Sequence, residues 1–299
     1  MKKTLACLLI LLSVGSMVAQ PIKPQPIKRM RVNHFYLQSG LSSAMGNVGT
    51  LNDFKALAPE SQLLTNDFSN FSQNGSNTYG FNSGLTVLMG IQFSDKEKTR
   101  YKPNPMLRLG VSFFSDTQLG NSFSNNLRTP FDTLQSAQTG EVYLVDSIQS
   151  NYYNMNYWSQ QLRFDGSLIF RTNPEARLSL FSGIGLTAGM SIMAMTDVYS
   201  STTFQMETEL PGGSSSSIQT DNENNTYVLE SFRNATNFGA SAYVPMGIDF
   251  RVGKKNEFLK RLFLNYEFRP GVNVTSIPEL GTFTNVMTQH NFGIRVSWN

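Results

Sequence analysis

Apolar and polar residues alternate with period two in eight separate stretches of the chain, the period of a strand with one apolar and one polar face. In 34–44, Phe35, Leu37 and Leu41 lie on one face and Gln38, Gly40 and Ser42 on the other. The second stretch is the most regular: Leu85, Val87, Met89, Ile91 and Phe93 alternate with Gly84, Thr86, Leu88, Gly90 and Gln92. Leu107, Leu109, Val111 and Phe113 oppose Arg108, Gly110 and Ser112, and in 158–171 Leu162, Phe164, Leu168 and Phe170 oppose Arg163, Asp165, Ser167 and Arg171. In 178–192, Leu178, Leu180, Ile184, Leu186, Ala188 and Met190 face away from Ser179, Gly183, Gly185, Thr187 and Gly189. Ala240, Ala242, Val244, Met246, Ile248 and Phe250 then oppose Gly239, Ser241, Tyr243, Gly247, Asp249 and Arg251. Leu262, Leu264, Tyr266, Phe268 and Val272 oppose Asn265, Glu267, Arg269, Gly271 and Asn273. Last, in 290–299, Phe292, Ile294, Val296 and Trp298 alternate with Asn291, Gly293, Arg295 and Ser297. No long amphipathic-helix period competes with these, so the chain is predicted to be all-β.

The connections sort by length. Long polar stretches at 45–79, 116–157 and 193–237 alternate with short charged or turn-like ones at 95–105, 172–177 and 253–261, and a shorter loop at 276–287 leads to the last strand. Long loops on one side and short turns on the other predict a closed antiparallel up-and-down transmembrane β-barrel of eight strands. The long loops would be extracellular, and the short turns and both termini periplasmic. Ten or twelve strands are the alternatives, because 141–148 (EVYLVDSI) can form a hairpin, as can 203–210 paired with 227–232. Their faces are less consistently apolar, so they are expected as extensions above the membrane. A soluble β-sandwich would not sort its loops this way. Pro245 and Pro270 fall inside strands, where a missing N–H should mark a bulge or break.

An apolar terminal strand ending at Trp298 is an aggregation-prone edge unless it closes against the first strand. It resembles the closing strand of bacterial outer-membrane barrels, here with one Asn after the aromatic. With the alternation and strand count, the chain is similar to the small outer-membrane β-barrel superfamily that contains the OmpA transmembrane domain and OmpX, and in style to PorT-like barrels of Bacteroidetes. The resemblance covers essentially all of the mature chain and rests on pattern, without a diagnostic motif. It implies a Gram-negative cell-envelope protein surrounded by outer-membrane lipid and lipopolysaccharide, assembled by the barrel assembly machinery through its C-terminal strand. No peptidoglycan-binding domain is expected after the barrel.

Residues 1–19 supply the export route: Lys2 and Lys3 precede an apolar run, and small residues lead to Ala19. This is the pattern of a cleaved signal peptide, too short to span a bilayer. Cys7 lies inside the apolar run rather than after it, which argues against lipidation. Residues 20–33 (QPIKPQPIKRMRVN) repeat Pro-Ile-Lys and read as an extended periplasmic leader, leaving 34–299 as the barrel domain. Lys plus Arg falls from 24 to 22 without Lys2 and Lys3, against 21 Asp plus Glu, so nothing in the charge calls for nucleic acid. No later segment carries 18 apolar residues in a row, which excludes helical spans.

If the apolar faces meet lipid, Arg108, Arg163, Asp165, Arg171, Asp249, Arg251, Glu267, Arg269 and Arg295 point into the lumen, most of them toward its periplasmic end. Eight strands leave an interior that side chains just fill, so opposite charges at similar depth should pair into a plug. A small pore selected by the same charges would favour anions. Tyr152, Tyr153, Tyr157 and Trp158 at the outer interface, and Phe93, Phe170, Phe250 and Trp298 at the periplasmic rim, are expected as an aromatic girdle.

Chemistry is sparse. His34 and His290 begin strands at opposite ends and cannot share a site. His290 with Ser276 and Glu279 is the one nucleophile, base and acid combination on offer, resembling in logic the outer-membrane lipid A deacylases. The Ser that should follow the His by two residues is missing, since position 292 is Phe. The chain is not expected to be an enzyme, and no cofactor or metal is implied; 221–225 (DNENN) lacks calcium-loop spacing. Asp132-Thr133-Leu134 and Asp146-Ser147-Ile148 look like the Bacteroidetes O-glycosylation signal. The expected role is structural or interactive through the extracellular loops, in envelope integrity, adhesion or secretion. A porin-like, weakly anion-biased pore is the alternative and a lipid hydrolase the second.

Overall fold

The computed structural model describes residues 31–45, 47–75, 79–92, 104–135, 140–172, 176–210 and 214–298. The expected signal peptide, most of the leader and Phe93 lie outside them. We number the strands longer than two residues in chain order: β1 (Arg31–Met45), β2 (Tyr79–Gln92), β3 (Asn104–Gln135), β4 (Val142–Arg171), β5 (Leu178–Leu210), β6 (Ser214–Arg233), β7 (Phe238–Tyr243), β8 (Met246–Arg251), β9 (Leu262–Ile277) and β10 (Gly281–Ser297). Two short helices accompany them, α1 (Leu51–Leu57) and α2 (Glu257–Arg261).

The hydrogen-bonded ladders return to their start. Antiparallel pairing runs β1–β2–β3–β4–β5, then through β7 and β8 to β9 and β10. β10 closes on β1, with Ser297 opposite His34 and Met287 opposite Ala44. Eight strand positions therefore make one ring, with β7 and β8 sharing the sixth. The long connections lie at one end of the ring, together with the tight turn that joins β9 to β10.

The ring is inverted relative to a water-soluble globule. Apolar side chains of the period-two faces point outward, with Phe164 78% and Ile184 66% exposed. The largest fully buried side chains include Arg108, Arg163, Arg171, Arg269 and Arg295.

Pro245 does break the sixth position, separating β7 from β8, and its carbonyl accepts from Gly183 N at 3.0 Å. Pro270 does not break β9. It pairs with Thr288 on one side, and on the other its carbonyl accepts from Val244 N at 2.9 Å. Its missing donor thus faces the existing gap, so the two prolines share one interruption.

The long connections are corrections to the loop assignment. β3 runs on past its last partner on β2, Phe114 opposite Gly84, and pairs with β4 out to Gln135 opposite Val142. β4, β5 and β6 extend with it, so stretches 116–157 and 193–237 are largely a tall β-arm above the ring. Here both faces carry Ser, Asn, Thr and Gln, so the ladder continues where the hydrophobic period stops. The 203–210 segment pairs with 214–221 rather than with 227–232, which instead lies against 196–201. The last connection is a tight turn between Ile277 and Gly281, which takes φ +103°, open to Gly without steric cost.

Stretch 45–79 is also more than polar loop. Thr50 and Asp53 form a reciprocal capping box that starts α1. Phe54, Leu57, Ala58 and Leu64 pack inside the arm against Leu119, Phe123, Tyr153, Met155, Tyr157, Ala194 and Val198. Asn66 Nδ2 donates to Tyr153 Oη at 2.8 Å, and Asn234 Nδ2 donates to the Leu57 carbonyl at 2.6 Å. The stretch is a folded cap seated over the upper mouth of the ring.

Candidate functional site

Among the described residues, buried charged side chains converge in the lumen, and strand parity delivers them. Arg108 on β3 faces Glu267 on β9, four positions away in a ring of eight, and grips it with Nη1 at 2.5 Å and Nη2 at 2.9 Å. Arg269 Nε donates to Glu267 at 2.6 Å, and its Nη1 reaches Asp165 of β4 at 2.8 Å. Gln38 of β1 closes the set, donating to Glu267 at 3.1 Å and accepting from Arg269 at 3.0 Å. Asp165 also accepts from Ser112 at 3.0 Å and from the Tyr243 hydroxyl. Two guanidiniums and two carboxylates, each 2% exposed or less, thus hold five strands across the interior. Such pairs recover their desolvation cost only with this density of hydrogen bonds.

Above this layer, Arg163 meets amides rather than an acid. Its Nε donates to Gln161 at 2.6 Å and its Nη1 to Asn273 at 2.7 Å, and its guanidinium lies 4.7 Å from the Phe114 ring centroid. Gly185 and Gly239 make this packing feasible: a Cβ there would collide with Tyr243 and with Arg163 respectively. Asn237 then links Tyr157, Gln118 and Gln161 beneath the cap.

At the short-connection end, Arg171 Nη2 lies 2.8 Å and Arg295 Nε 3.3 Å from Asp249. Asn265 Nδ2 donates to the same carboxylate at 2.7 Å. Arg251 is half-buried, with its guanidinium 5.1 Å from the Phe263 ring centroid. Tyr36, Leu88, Met106, Ile169 and Phe181 form an apolar cluster beside them. Between the layers, a void beside Thr86, Ser112, Arg269 and Asn291 measures about 20 Å³, room for about one water.

All nine charged residues singled out in the sequence fall on the inner face, but as two clusters and a separate Arg163. Sequence reasoning missed Tyr36, Gln38, Tyr243 and Asn237, whose polar tips complete the network. Gln38 and Tyr243 carried a signal in their inward parity, whereas Asn237 sits in the gap between β6 and β7 and carried none. Of the aromatics, Phe170, Phe250 and Trp298 do lie exposed on the outer wall. Tyr153 and Tyr157 turn inward and are buried against the cap, a correction to the girdle. Strand parity makes this unavoidable, because Tyr152 and Tyr153 are neighbours and cannot both face out. Trp158 faces out and donates Nε1–H to Asp197 at 2.7 Å.

His34 points into the lumen beside Arg295. His290 sits on the outer wall, its Nδ1 2.9 Å from the Tyr266 hydroxyl. Ser276 pairs with Thr282, eight residues along β10 from His290, about 27 Å of strand. Glu279 accepts from Ala235 N at 3.1 Å. The three do not meet. No metal-binding cluster occurs among the described residues. Thr133 and Ser147 of the glycosylation-like triplets lie in the β3–β4 ladder, and 221–225 lies within β6.

No protein-family model matches the chain, and no curated protein matches it. Among solved structures it is similar to Neisserial surface protein A, at 11% identity and a TM-score of 0.30, over 91% of this chain and 100% of that one. It is also similar to Ail, the attachment invasion locus protein of Yersinia pestis, at 10% identity and a TM-score of 0.24, over 90% of this chain and 100% of that one. The same protein bound to the heparin analogue sucrose octasulfate gives 9% identity, a TM-score of 0.24 and the same coverage. Likeness at this level assigns no function.

Proposed function

We propose that the chain is an integral outer-membrane β-barrel of the style of OmpA, OmpX and PorT-like proteins. In this reading its lumen is closed and its working surface is the β3–β6 arm outside the cell. The observation that carries it is the inversion: exposed Leu, Ile, Val and Phe around the wall, and guanidinium–carboxylate pairs inside. In water that wall would be a large aggregation surface, whereas in a bilayer it is the solvent-matched face. Closure is supported from both sides, by the Arg108–Glu267–Arg269–Asp165 bridge in the middle and by the α1 cap above. The arm is a four-stranded sheet held clear of the ring, with exposed Leu127, Phe131, Leu134, Val142 and Leu144 toward its tip. That placement suits contact with another envelope protein or a surface ligand.

Planar-bilayer recording of the refolded mature chain tests closure. We expect no stable openings; anion-biased openings altered in Glu267→Ala would replace this reading with the small pore. Protease applied to intact cells should cut the arm and spare the ring. A folded His290→Ala variant that lost a lipid-hydrolysing activity of the parent would make the chain an enzyme instead.

A further inference from the structure

The short-connection end of the lumen concentrates unpaired donors. His34 Nε2, Arg171 Nε and Nη1, Ser179 Oγ, Arg251 Nε and Arg295 Nη2 are all buried and make no hydrogen bond among the described residues. They form one neighbourhood. Arg171 and Arg295 share the Asp249 carboxylate, Ser179 pairs with Asp249 across the β5–β8 ladder, and Arg251 and Arg295 lie 5.1 and 3.6 Å from the same Phe263 ring centroid. Arg171, Ser179 and Arg295 are 1% exposed or less, and His34 is 5% exposed.

Asp249 Oδ2 also makes no hydrogen bond but already lies between Arg171 and Arg295, and the other unpartnered atoms at this end are donors. Arg295 Nη1 lies 3.1 Å from His34 Nδ1, and a guanidinium can only donate, so Nδ1 accepts and the imidazole proton sits on Nε2. His34 Nε2, the guanidinium nitrogens and the Ser179 hydroxyl are therefore donors. Among the described residues, three guanidiniums face one carboxylate there, an excess of two positive charges, in a space walled by Phe181, Phe263 and Tyr36. Buried donors in native proteins are satisfied, and a buried charge without a counter-ion is strongly unfavourable. The middle layer of the same lumen obeys both rules with protein groups alone, which sets this end apart.

We propose that this end of the lumen is a binding site for a small inorganic anion, held by Arg171, Arg251 and Arg295 with the His34 and Ser179 donors. The half-buried Arg251 stands at the rim and is the entry contact, whereas Arg171 and Arg295 form the floor. The inference rests on the ring and not on membrane insertion, so it stands or falls separately from the function proposed above.

The test uses the purified full-length mature protein in detergent, melted in sodium chloride, bromide or phosphate and compared with gluconate at constant ionic strength. At least one of the three small anions should raise the unfolding temperature by on the order of 3 °C over gluconate at saturation. Arg171→Gln and Arg251→Gln should abolish the difference, whereas Arg128→Gln in the exposed arm should keep it. If Arg171→Gln does not fold, the rim variant Arg251→Gln carries the test alone. Where bromide is the stabilising ion, crystals grown in bromide should show an anomalous peak among these side chains. Melting temperatures equal in all four salts, or a rise that survives Arg251→Gln, would mean that water satisfies these donors, and the anion site would be wrong.

Discussion

Glu267 accepts from Arg108, Arg269 and Gln38, so its removal leaves two buried guanidiniums short of a partner. Glu267→Ala should cost about 3–5 kcal/mol, read from urea unfolding followed by the fluorescence of Trp158 and Trp298. Replacing Arg108, Glu267 and Arg269 together with apolar residues of similar volume should recover most of that loss, because the desolvation penalty goes with the charges. A small effect of Glu267→Ala would mean that the lumen is wet enough to screen the bridge. On the opposite face, Val111 is exposed between Val87 and Phe164. Val111→Arg should cost about 2–4 kcal/mol in a bilayer and almost nothing if this face meets water. Assembly unaffected by that change would argue against the outward register.

Among the elements, the α1 cap is the most separable. Its apolar side chains pack against the arm and, at the top of the ring, against Ile277 of β9, and its backbone starts from the Thr50–Asp53 capping box. Phe54, fully buried, should cost the cap about 3–5 kcal/mol when cut to Ala. The expected readout is new protease cleavage within 47–75 while the ring keeps its resistance to unfolding by detergent and moderate heat. Loss of both together would show the cap to be part of the barrel's own cooperative unit. The prolines teach a related point: Pro245 interrupts its strand, while Pro270 survives intact because its donor-less edge faces that interruption. Each proline's effect depends on what the neighbouring strand offers, which local sequence does not contain.

At the scale of the whole molecule, ring and arm divide the labour. The ring's stability comes from closed ladders and an interior of paired charge, and the arm adds a sheet whose outer surface is free of it. Deleting residues 120–152 and joining the shortened β3 and β4 with a tight turn should leave the ring assembled, read as retained protease resistance of the remaining strands. Failure of that variant to assemble would make the arm a folding element rather than a working surface.

Much of the ring was legible in the sequence because period two leaves a direct mark. A strand with an apolar outer face and a polar lumen face must alternate, so Leu162, Phe164, Leu168 and Phe170 stand apart from Arg163, Asp165 and Arg171 by parity alone. The same parity identified which charges share the interior. It did not say that Arg108 would reach Glu267 across the ring, that Arg163 would settle for amides, or that Asp249 would be divided between two arginines. Those outcomes depend on the stagger of strands far apart in sequence, and on room made by residues such as Gly185 and Gly239. The arm left only a weak periodic mark because Ser, Asn, Thr and Gln are mixed into both of its faces, although its backbone hydrogen bonds continue regardless. The cap's apolar residues were present in 45–79 all along, but only the concave side of the arm made them a core.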